Sequence, residues 1–399
     1  MVRRVRTTLC AFMTIREHAK LPVKRQATSQ HMPTHGGTGI VMLNLGGPET
    51  LADVEPFLLR LFADRELLRL PWQDVLGRVI AKRRAPRVRD LYDAIGGGSP
   101  ILRWTREQGA GMCERLDALS PATAPHRFYV SFRYVAPFAD DAVLAMKADG
   151  IQRAIAFTQY PQWSCATTGS SLNDLWRALR RQQLDDVFEW SIIDRWGEHD
   201  GFVRAVAGAV REGLELYTPH ERDDVLLLYS AHSLPLSVID RGDAYPAEVA
   251  ATVSRVTTAL ALPNPHLLCY QSDVGPVRWL GASTESVIRN LAAQGRKNVL
   301  VVPIAFTSDH IETLSEIDIE YAHLAQSLGM SGFRRAPSLN ARPEFLDALA
   351  DIVDDHLQHG TAYSRQYSTR CPGCPNSDCR GVPSRVTYAR TGERQTIGS

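Results

Sequence analysis

At 399 residues, with 44% hydrophobic and 22% charged residues, the chain is long enough for two domains with cores of their own and has an ordinary globular composition. No apolar run approaches the ~18 residues of a membrane span, so no helical crossing is expected, although a surface can still rest on a bilayer. The formal net charge of +1 is uneven: residues 1–36 hold seven Lys/Arg against one acid, Glu17, leaving 38 basic and 43 acidic residues in a body too acidic for a nucleic-acid partner.

The leader "MVRRVRTTLCAFMTIREHAK" is Arg-rich, Thr-bearing and poor in acids. That composition belongs to a mitochondrial targeting peptide rather than a secretory signal; a plain basic tail is the alternative. From residue 37 onward, runs of branched residues predict buried strands at Ile40–Leu45, Phe128–Phe132, Ala154–Thr158, Val225–Tyr229, Leu267–Tyr270 and Val299–Ile304. Amphipathic segments at 51–63, 103–118, 138–148, 200–217, 245–260 and 283–294 read as helices. Such alternation implies an α/β fold with parallel sheets covered on both faces. The polar stretch "LRRQQLDD" marks a junction, giving an N-terminal domain over 37–178 and a C-terminal domain over 179–360. Residues 361–399 become rich in Arg, Ser, Gly and Pro and read as an extension.

In doubly wound folds ligands collect beyond the carboxyl ends of the strands. Three loops fall there: "YSAHSLP" with His232, "CYQSDVGPVRWLG" with Gln271, Ser272 and Trp279, and "FTSDHIETLSEIDIEY" with Asp309, His310 and a row of acids. If their strands share one sheet, His232 and the acids border one crevice. Glu312, Glu316 and Glu320 are four apart and would share one face of an α-helix, while Ile311, Leu314, Ile317 and Tyr321 would pack on the sheet. A solvated face is the plain reading of these acids. The functional one is a path for protons or metal ions, because crowding in a crevice raises carboxylate pKa values. A His after a strand is likewise either a structural hydrogen-bonding group or a base.

Seven cysteines (10, 113, 165, 269, 371, 374 and 379) are too scattered for a disulfide framework. Cys371, Cys374 and Cys379 follow a C-x₂-C-x₄-C spacing, a metal signal that lacks a fourth sulfur, since tetrahedral zinc and [2Fe–2S] both use four. Cys113 and Cys269 read as buried apolar thiols. The stretch 57–84, "FLLRLFADRELLRLPWQDVLGRVIAKRR", is unusually apolar for a surface and ends on Lys82, Arg83 and Arg84. It is either core or a face for a membrane interface.

The motifs "NLGGPET", "IGGGSPI", "FRYVAP", "FTQYPQWSCATTGSSLN", "YSAHSLPLSVIDRGDAYP", "QSDVGPVRWLG" and "PIAFTSDHIETLSEIDIEY" occur in this order between about residues 38 and 380. Together they resemble the ferrochelatases, the enzymes that complete haem synthesis, and most of all their mitochondrial, cluster-bearing branch. The resemblance implies two similar Rossmann-like domains, each a parallel sheet flanked by helices, with a C-terminal cluster-binding extension. It also implies a lyase that inserts Fe2+ into protoporphyrin IX and releases two protons. Insertion requires a bent ring, a base near the pyrrole nitrogens and ligands that strip water from iron. A tight apolar clamp spends binding energy on bending. Imidazole titrates in the right range for a base, and ferrous ion accepts imidazole and carboxylate.

Carried over by motif, His232 receives pyrrole protons or first meets the metal, with Glu312 as its partner. Glu316 and Glu320 extend a relay, and Asp309 and His310 stand at its start. Leu45, Tyr92, Arg133, Tyr134 and Trp279 line the macrocycle. Arg84, Arg87, Ser99 and Ser272 meet the propionates, for which Arg suits bidentate binding. The stretch 57–84 becomes an apolar lip at the pocket mouth that dips into a membrane interface. The family pattern supplies the fourth sulfur at Cys165, implying one [2Fe–2S] cluster per subunit, with structural zinc as the alternative. It also implies a homodimer peripheral to the inner mitochondrial membrane on the matrix side. Ser315 and Ala282 depart from the family pattern, as does the tail after Cys379, which is expected to lack order. Two rivals stay open: a porphyrin-binding sensor without activity, and a chelatase for cobalt or nickel.

Overall fold

The computed structural model describes residues 36–381, except 68, 69, 274, 276, 375, 377 and 378, together with a short pairing of Ala389–Arg390 with Glu393–Arg394. The expected targeting leader, Cys10 and most of the tail beyond Cys379 lie outside the described residues.

The first sheet comprises β1 (Thr38–Asn44), β2 (His126–Phe132), β3 (Arg153–Thr158) and β4 (Glu189–Ile193), in the order β2-β1-β3-β4. The second comprises β5 (Leu226–His232), β6 (His266–Gln271), β7 (Asn298–Pro303) and β8 (Gly332–Arg335), in the order β6-β5-β7-β8. All pairings within both sheets are parallel. The two halves thus repeat one strand order, and the expectation of two similar Rossmann-like domains holds. Both central strands, β1 and β5, are buried along almost their whole length, as strands covered on both faces must be.

Helices connect the strands: α1 (Val54–Ala63), α2 (Gln73–Ala94), α3 (Ile101–Leu119), α4 (Ala139–Ala148), α5 (Ser170–Arg181), α6 (Asp200–Leu214), α7 (Leu236–Ile239), α8 (Tyr245–Leu260), α9 (Thr284–Ala293), α10 (Ala322–Ser327) and α11 (Pro343–His359). A π-helix at Glu312–Tyr321 runs directly into α10.

Side chains alternate between two packing layers, as strand geometry requires. Ile40, Met42, Leu227, Tyr229 and Leu300 join Phe202, Phe345 and Leu349 in one core shared by both halves. Their neighbours Val41, Leu43 and Ala154 enter an outer core of the first half, and Leu226, Leu228, Val299 and Val301 an outer core of the second.

Two edge strands, β4 and β8, are not predicted from the sequence pattern. Because β4 pairs with β3, the first sheet extends to Ile193, and the junction expected near 178 falls inside α5. The polar stretch that marked it is the end of α5 and a turn with Gln183 at φ 56°. The segment after α11 returns to the first half. Its Ala362 carbonyl accepts from Ile192 N at 2.7 Å, and Tyr367 is buried against the Trp163 ring at 5.9 Å.

Candidate active site

In each sheet the chain turns to opposite sides between its first and third strands, the position where α/β folds bind ligands. In the second sheet this point lies beyond β5 and β7. His232 ends β5, and the loop after β7 leads into the π-helix. His232 Nδ1 lies 2.5 Å from the Ser233 carbonyl, an acceptor only, so Nδ1 carries the proton. In the neutral ring the lone pair is then on Nε2, the nitrogen a base would use. Buried Tyr245 bonds the His232 backbone, and Trp279 pairs with Pro235 in the loop just after it.

The acids sort into two groups. Asp309 accepts from Asn340 Nδ2 at 2.8 Å and Ser338 Oγ at 2.7 Å, and Arg335 stands 3.2 Å away. Burial pushes the Asp309 carboxyl up, but these partners outweigh it and hold it below the usual range. Arg335 also binds Asp318 through two contacts of 2.8 Å. Asp309 and Asp318 therefore anchor β8 and its loop. Glu312, Glu316 and Glu320 remain as the row. His310 Nδ1 lies 2.9 Å from the Ser308 carbonyl and its Nε2 3.2 Å from Glu312, so the imidazole orients Glu312.

The row is wound as a π-helix, not the α-helix expected. A spacing of four overshoots an α-turn but falls short of a π-turn, whose hydrogen bonds run i→i+5; Ala322 N donates to the Ile317 carbonyl accordingly. Ile317 and Tyr321 pack on the sheet as predicted, whereas Ile311 packs outward against the cluster formed by α1 and α2. Glu316 receives four donors: Gln271 Nε2 at 2.9 Å, Ser272 N at 2.8 Å, Ser272 Oγ at 2.5 Å and Tyr321 OH at 2.8 Å. Ser272, expected on a propionate, instead turns at φ 70° to give Glu316 both its N–H and its hydroxyl. Glu320 is exposed; partial burial and then the Glu316 charge push its carboxyl up, with Arg87 opposing.

The first half supplies the facing wall. Burial, and then the charge of Glu312, pushes the Tyr92 hydroxyl far up, which places α2 beside the inner end of the row. Arg87 of the same helix acts on Glu320 at the outer end. Arg84 stands over the Phe62 ring at 5.8 Å and is held down by burial and by Arg87. Leu45 follows β1, and its carbonyl accepts from Arg133 N and Tyr134 N. Arg133 and Tyr134 are turned into the protein. Asp64 accepts from Arg133 at 3.0 Å, Tyr134 OH at 2.7 Å and Ser170 Oγ at 2.7 Å. Ser99 is buried beside Gly47, where an added Cβ would meet its hydroxyl at 2.6 Å.

The stretch 57–84 covers most of α1, the connection after it and the first half of α2. Leu58, Phe62, Ala81 and Ala85 bind the two helices together. Trp72 is 86% exposed and Val75 and Val79 are exposed beside it, with Arg78, Lys82 and Arg83 on the same open side. A shallow hollow of about 620 Å³ lies there, lined in part by Arg65, Leu70 and Trp72.

The four cysteines form a chain of neighbours. Burial raises the Cys165 thiol first, then Asp243 and Cys371; Cys371 in turn feels Cys374, and Cys379 is pushed up to about 12 by burial and by Cys374. Among the described residues no three His, Cys, Asp or Glu side chains stand close enough to hold a metal ion as placed. The donor set still fits a thiolate-bound group: buried thiols whose thiolates would repel one another resist ionisation until a cation offsets that charge. Cys113 and Cys269 are buried and raised to about 12 and 11, as inert core thiols are.

Two doubly wound halves thus bring a histidine and an acid row to one switch point, the place where a macrocycle-binding enzyme of this class would hold its ligand. The ferrochelatase family profile matches residues 37–357. The chain is 54% identical over 351 residues to the mitochondrial ferrochelatase of Gallus gallus, covering 88% of this chain and 87% of that one. It is 52% identical to that of Homo sapiens (88% and 83% covered) and 47% identical to that of Dictyostelium discoideum (88% of each). Among solved structures, SirB from Bacillus subtilis with Fe3+ matches with a TM-score of 0.46 and 12% identity over 80% of this chain and 95% of that one, too loose a likeness to carry an argument. The chain belongs to the ferrochelatase family. It is a metal-chelatase lyase of haem synthesis, mitochondrial like these relatives, with a porphyrin and iron as substrates.

Proposed function

We propose that His232 is the base that takes protons from the pyrrole nitrogens of protoporphyrin IX as Fe2+ enters. Glu312, oriented by His310, is its partner. Glu316 and Glu320 carry the protons outward. The observation that carries this reading is the switch point itself: a histidine whose Nδ1 is held by a carbonyl ends β5, in register with the residue that binds Glu316. Protons suit the row better than iron does. The four donors on Glu316 occupy the lone pairs a metal would need, whereas O–H···O contacts of 2.5 and 2.8 Å are hydrogen-bonded steps. The raised Glu320 carboxyl, at the exposed end, accepts a proton more readily than an ordinary one.

Leu45, Tyr92 and Trp279 line the macrocycle, while Arg133 and Tyr134 brace that wall from behind. Arg84, Arg87 and Ser99 are the residues for the propionates; Ser272 serves Glu316 instead, and Asp309 anchors the loop rather than starting the relay. Exposed Trp72, Val75 and Val79, flanked by Arg78, Lys82 and Arg83, support contact with an anionic membrane surface. The patch supports the reading of an enzyme peripheral to the inner membrane on its matrix side. Cys165, Cys371, Cys374 and Cys379 would hold one [2Fe–2S] cluster, which when bound supplies a cross-link between body and C-terminal segment. A homodimer rests on family likeness alone. The chain divides into two halves after β4 and an extension after α11.

The test is an anaerobic assay with Fe2+ and protoporphyrin, preceded by a visible spectrum. His232→Ala is expected to lose activity by about 10²–10⁴-fold while still binding porphyrin; near-normal turnover would sink the assignment. Cys374→Ser is expected to lose cluster absorbance, and an unchanged spectrum points to zinc or an empty site.

A further inference from the structure

Gln271 is the last residue of β6, is fully buried, and stands opposite His232 in the strand register. Its amide has three partners. The oxygen accepts from Ser230 Oγ at 2.7 Å, while the nitrogen donates to the Glu312 carbonyl at 3.1 Å and to Glu316 Oε2 at 2.9 Å. Ser230 is itself buried and backed by Thr284 Oγ1 at 3.0 Å. The Glu312 carbonyl and the Glu316 carboxylate are acceptors, so they fix the NH2 end of the amide toward the acids, and the Ser230 hydroxyl satisfies the other end. The next residue, Ser272, is held in the left-handed region at φ 70° and adds two more donors to the same carboxylate. Backbone strain at a non-glycine persists where its surroundings over-determine it, and here they converge on Glu316.

Two consequences follow for the row. The Glu312 carbonyl, in the first turn of the π-helix, is tied to the strand beside His232, so the spacing of base and acid is set from one residue. Glu316 lies four residues from Glu312 and four from Glu320, and would repel both if it were left without donors. The geometry points to Gln271 as a positioning residue: sealed from the crevice, it fixes Glu312 and Glu316 relative to His232 and keeps the proton path in register. This rests on the reading of His232 and the acid row as that path.

Two variants test it, Gln271→Leu and Gln271→Glu, assayed for kcat, for the protoporphyrin KM and across about pH 5–8. The Leu variant removes the donors at similar size. It is expected to lower kcat about tenfold or more and leave KM within about twofold, as loss of a hydrogen bond to a charged group does when substrate is not touched. In the Glu variant an ionised carboxylate would face Glu316. As pH falls that side chain takes up a proton, regains one donor and one acceptor, and kcat is expected to rise relative to the Leu variant. A merely structural role does not give that pH-dependent rescue. Wild-type kcat in the Leu variant, or equal loss in both variants at every pH, would overturn the inference. Should the Leu variant fail to fold, Ser230→Ala, which removes the donor that holds the amide oxygen, is compared with Gln271→Glu; unchanged kcat in both overturns it. His232→Ala measured alongside separates the outcomes: an active His232→Ala sinks the proton path, and an inactive one beside a normal Gln271→Leu sinks this inference alone.

Discussion

Beyond β1 and β3, at the switch point of the first sheet, stand Leu45, Gly46, Gly47 and Tyr160; beyond β5 and β7, at the same point of the second, stand His232, His310 and Glu312. The topology is shared and the chemistry is not. The first half answers with close packing: a Cβ at Gly46 would meet Val135 at 2.5 Å, and its charged groups, Asp64 and Arg133, are paired with each other inside the wall. The second half answers with imidazoles and a carboxylate, none of them fully buried. A macrocycle that must be gripped and deprotonated at once needs one wall of each kind. On the proposed reading, a rigid apolar wall spends binding energy on shape and the other wall moves protons. Two copies of one strand order can therefore divide a reaction, because a fold positions a site without dictating what fills it.

The largest expected effect breaks the rigid wall. Burial pushes the Asp64 carboxyl up, yet Arg133, Tyr134 and Ser170 outweigh it and hold it below the usual range. Asp64→Asn leaves the Arg133 charge half-compensated by Asp174, 3.7 Å away, and is expected to cost about 3–5 kcal/mol in a urea titration. Because the folded pKa is lowered, the stability that Asp64 contributes is present above its unfolded value, about 3.9, and is lost as pH falls through the folded one. The gap between wild type and variant should therefore persist from neutral pH down to about 4 and close only below it. Turnover per folded molecule should fall far less than for His232→Ala. A kcat loss equal to that of His232→Ala at unchanged stability would erase the division between the walls.

A middle-sized effect concerns the exposed apolar patch of the first half. Trp72→Ser with Val79→Ser should weaken sedimentation with anionic vesicles severalfold, since shallow insertion at an interface realises only a fraction of the about 1.5–3 kcal/mol that full burial of each side chain gives. Folding should be unaffected, because both side chains are exposed. Equal vesicle binding by wild type and variant would remove the membrane from the account of this wall.

Much of this was legible in sequence, and the limits have physical causes. The central strands announce themselves because burial on both faces demands continuous branched residues. The edge strands β4 ("EWSII") and β8 ("GFRR") carry no such pattern, and with β8 went Arg335, whose charge decides that Asp309 and Asp318 are anchors. The row of glutamates was visible, but its winding was not. A spacing of four lies between an α-turn and a π-turn and so does not decide between them, and the tie from Gln271 to the Glu312 carbonyl comes from a strand 41 residues away. Gln271 itself was seen at its strand end without a role. Its one sequence signal is a polar residue closing an apolar run, "LLCYQ". Three cysteines showed by spacing; Cys165 came only through family likeness, because 206 residues separate it from Cys371.

The smallest expected effect tests the reactive wall at its rim. The Glu320 carboxyl is raised by partial burial and by the charge of Glu316. For an acid with a raised folded pKa the ionised form costs stability, so that cost is absent below the unfolded pKa and grows as pH rises through the folded one. Glu320→Gln should therefore unfold at a slightly higher temperature than wild type near neutral pH, and at the same temperature near pH 4. The side chain is exposed, so solvent screens the effect and about one degree is the scale to look for. The same variant should slow proton release modestly, because a neutral amide cannot take the proton that Glu316 passes on. A variant less stable than wild type at neutral pH would mean that the Arg87 contact outweighs the repulsion from Glu316, and the row would then read as an ion-paired rim rather than an exit.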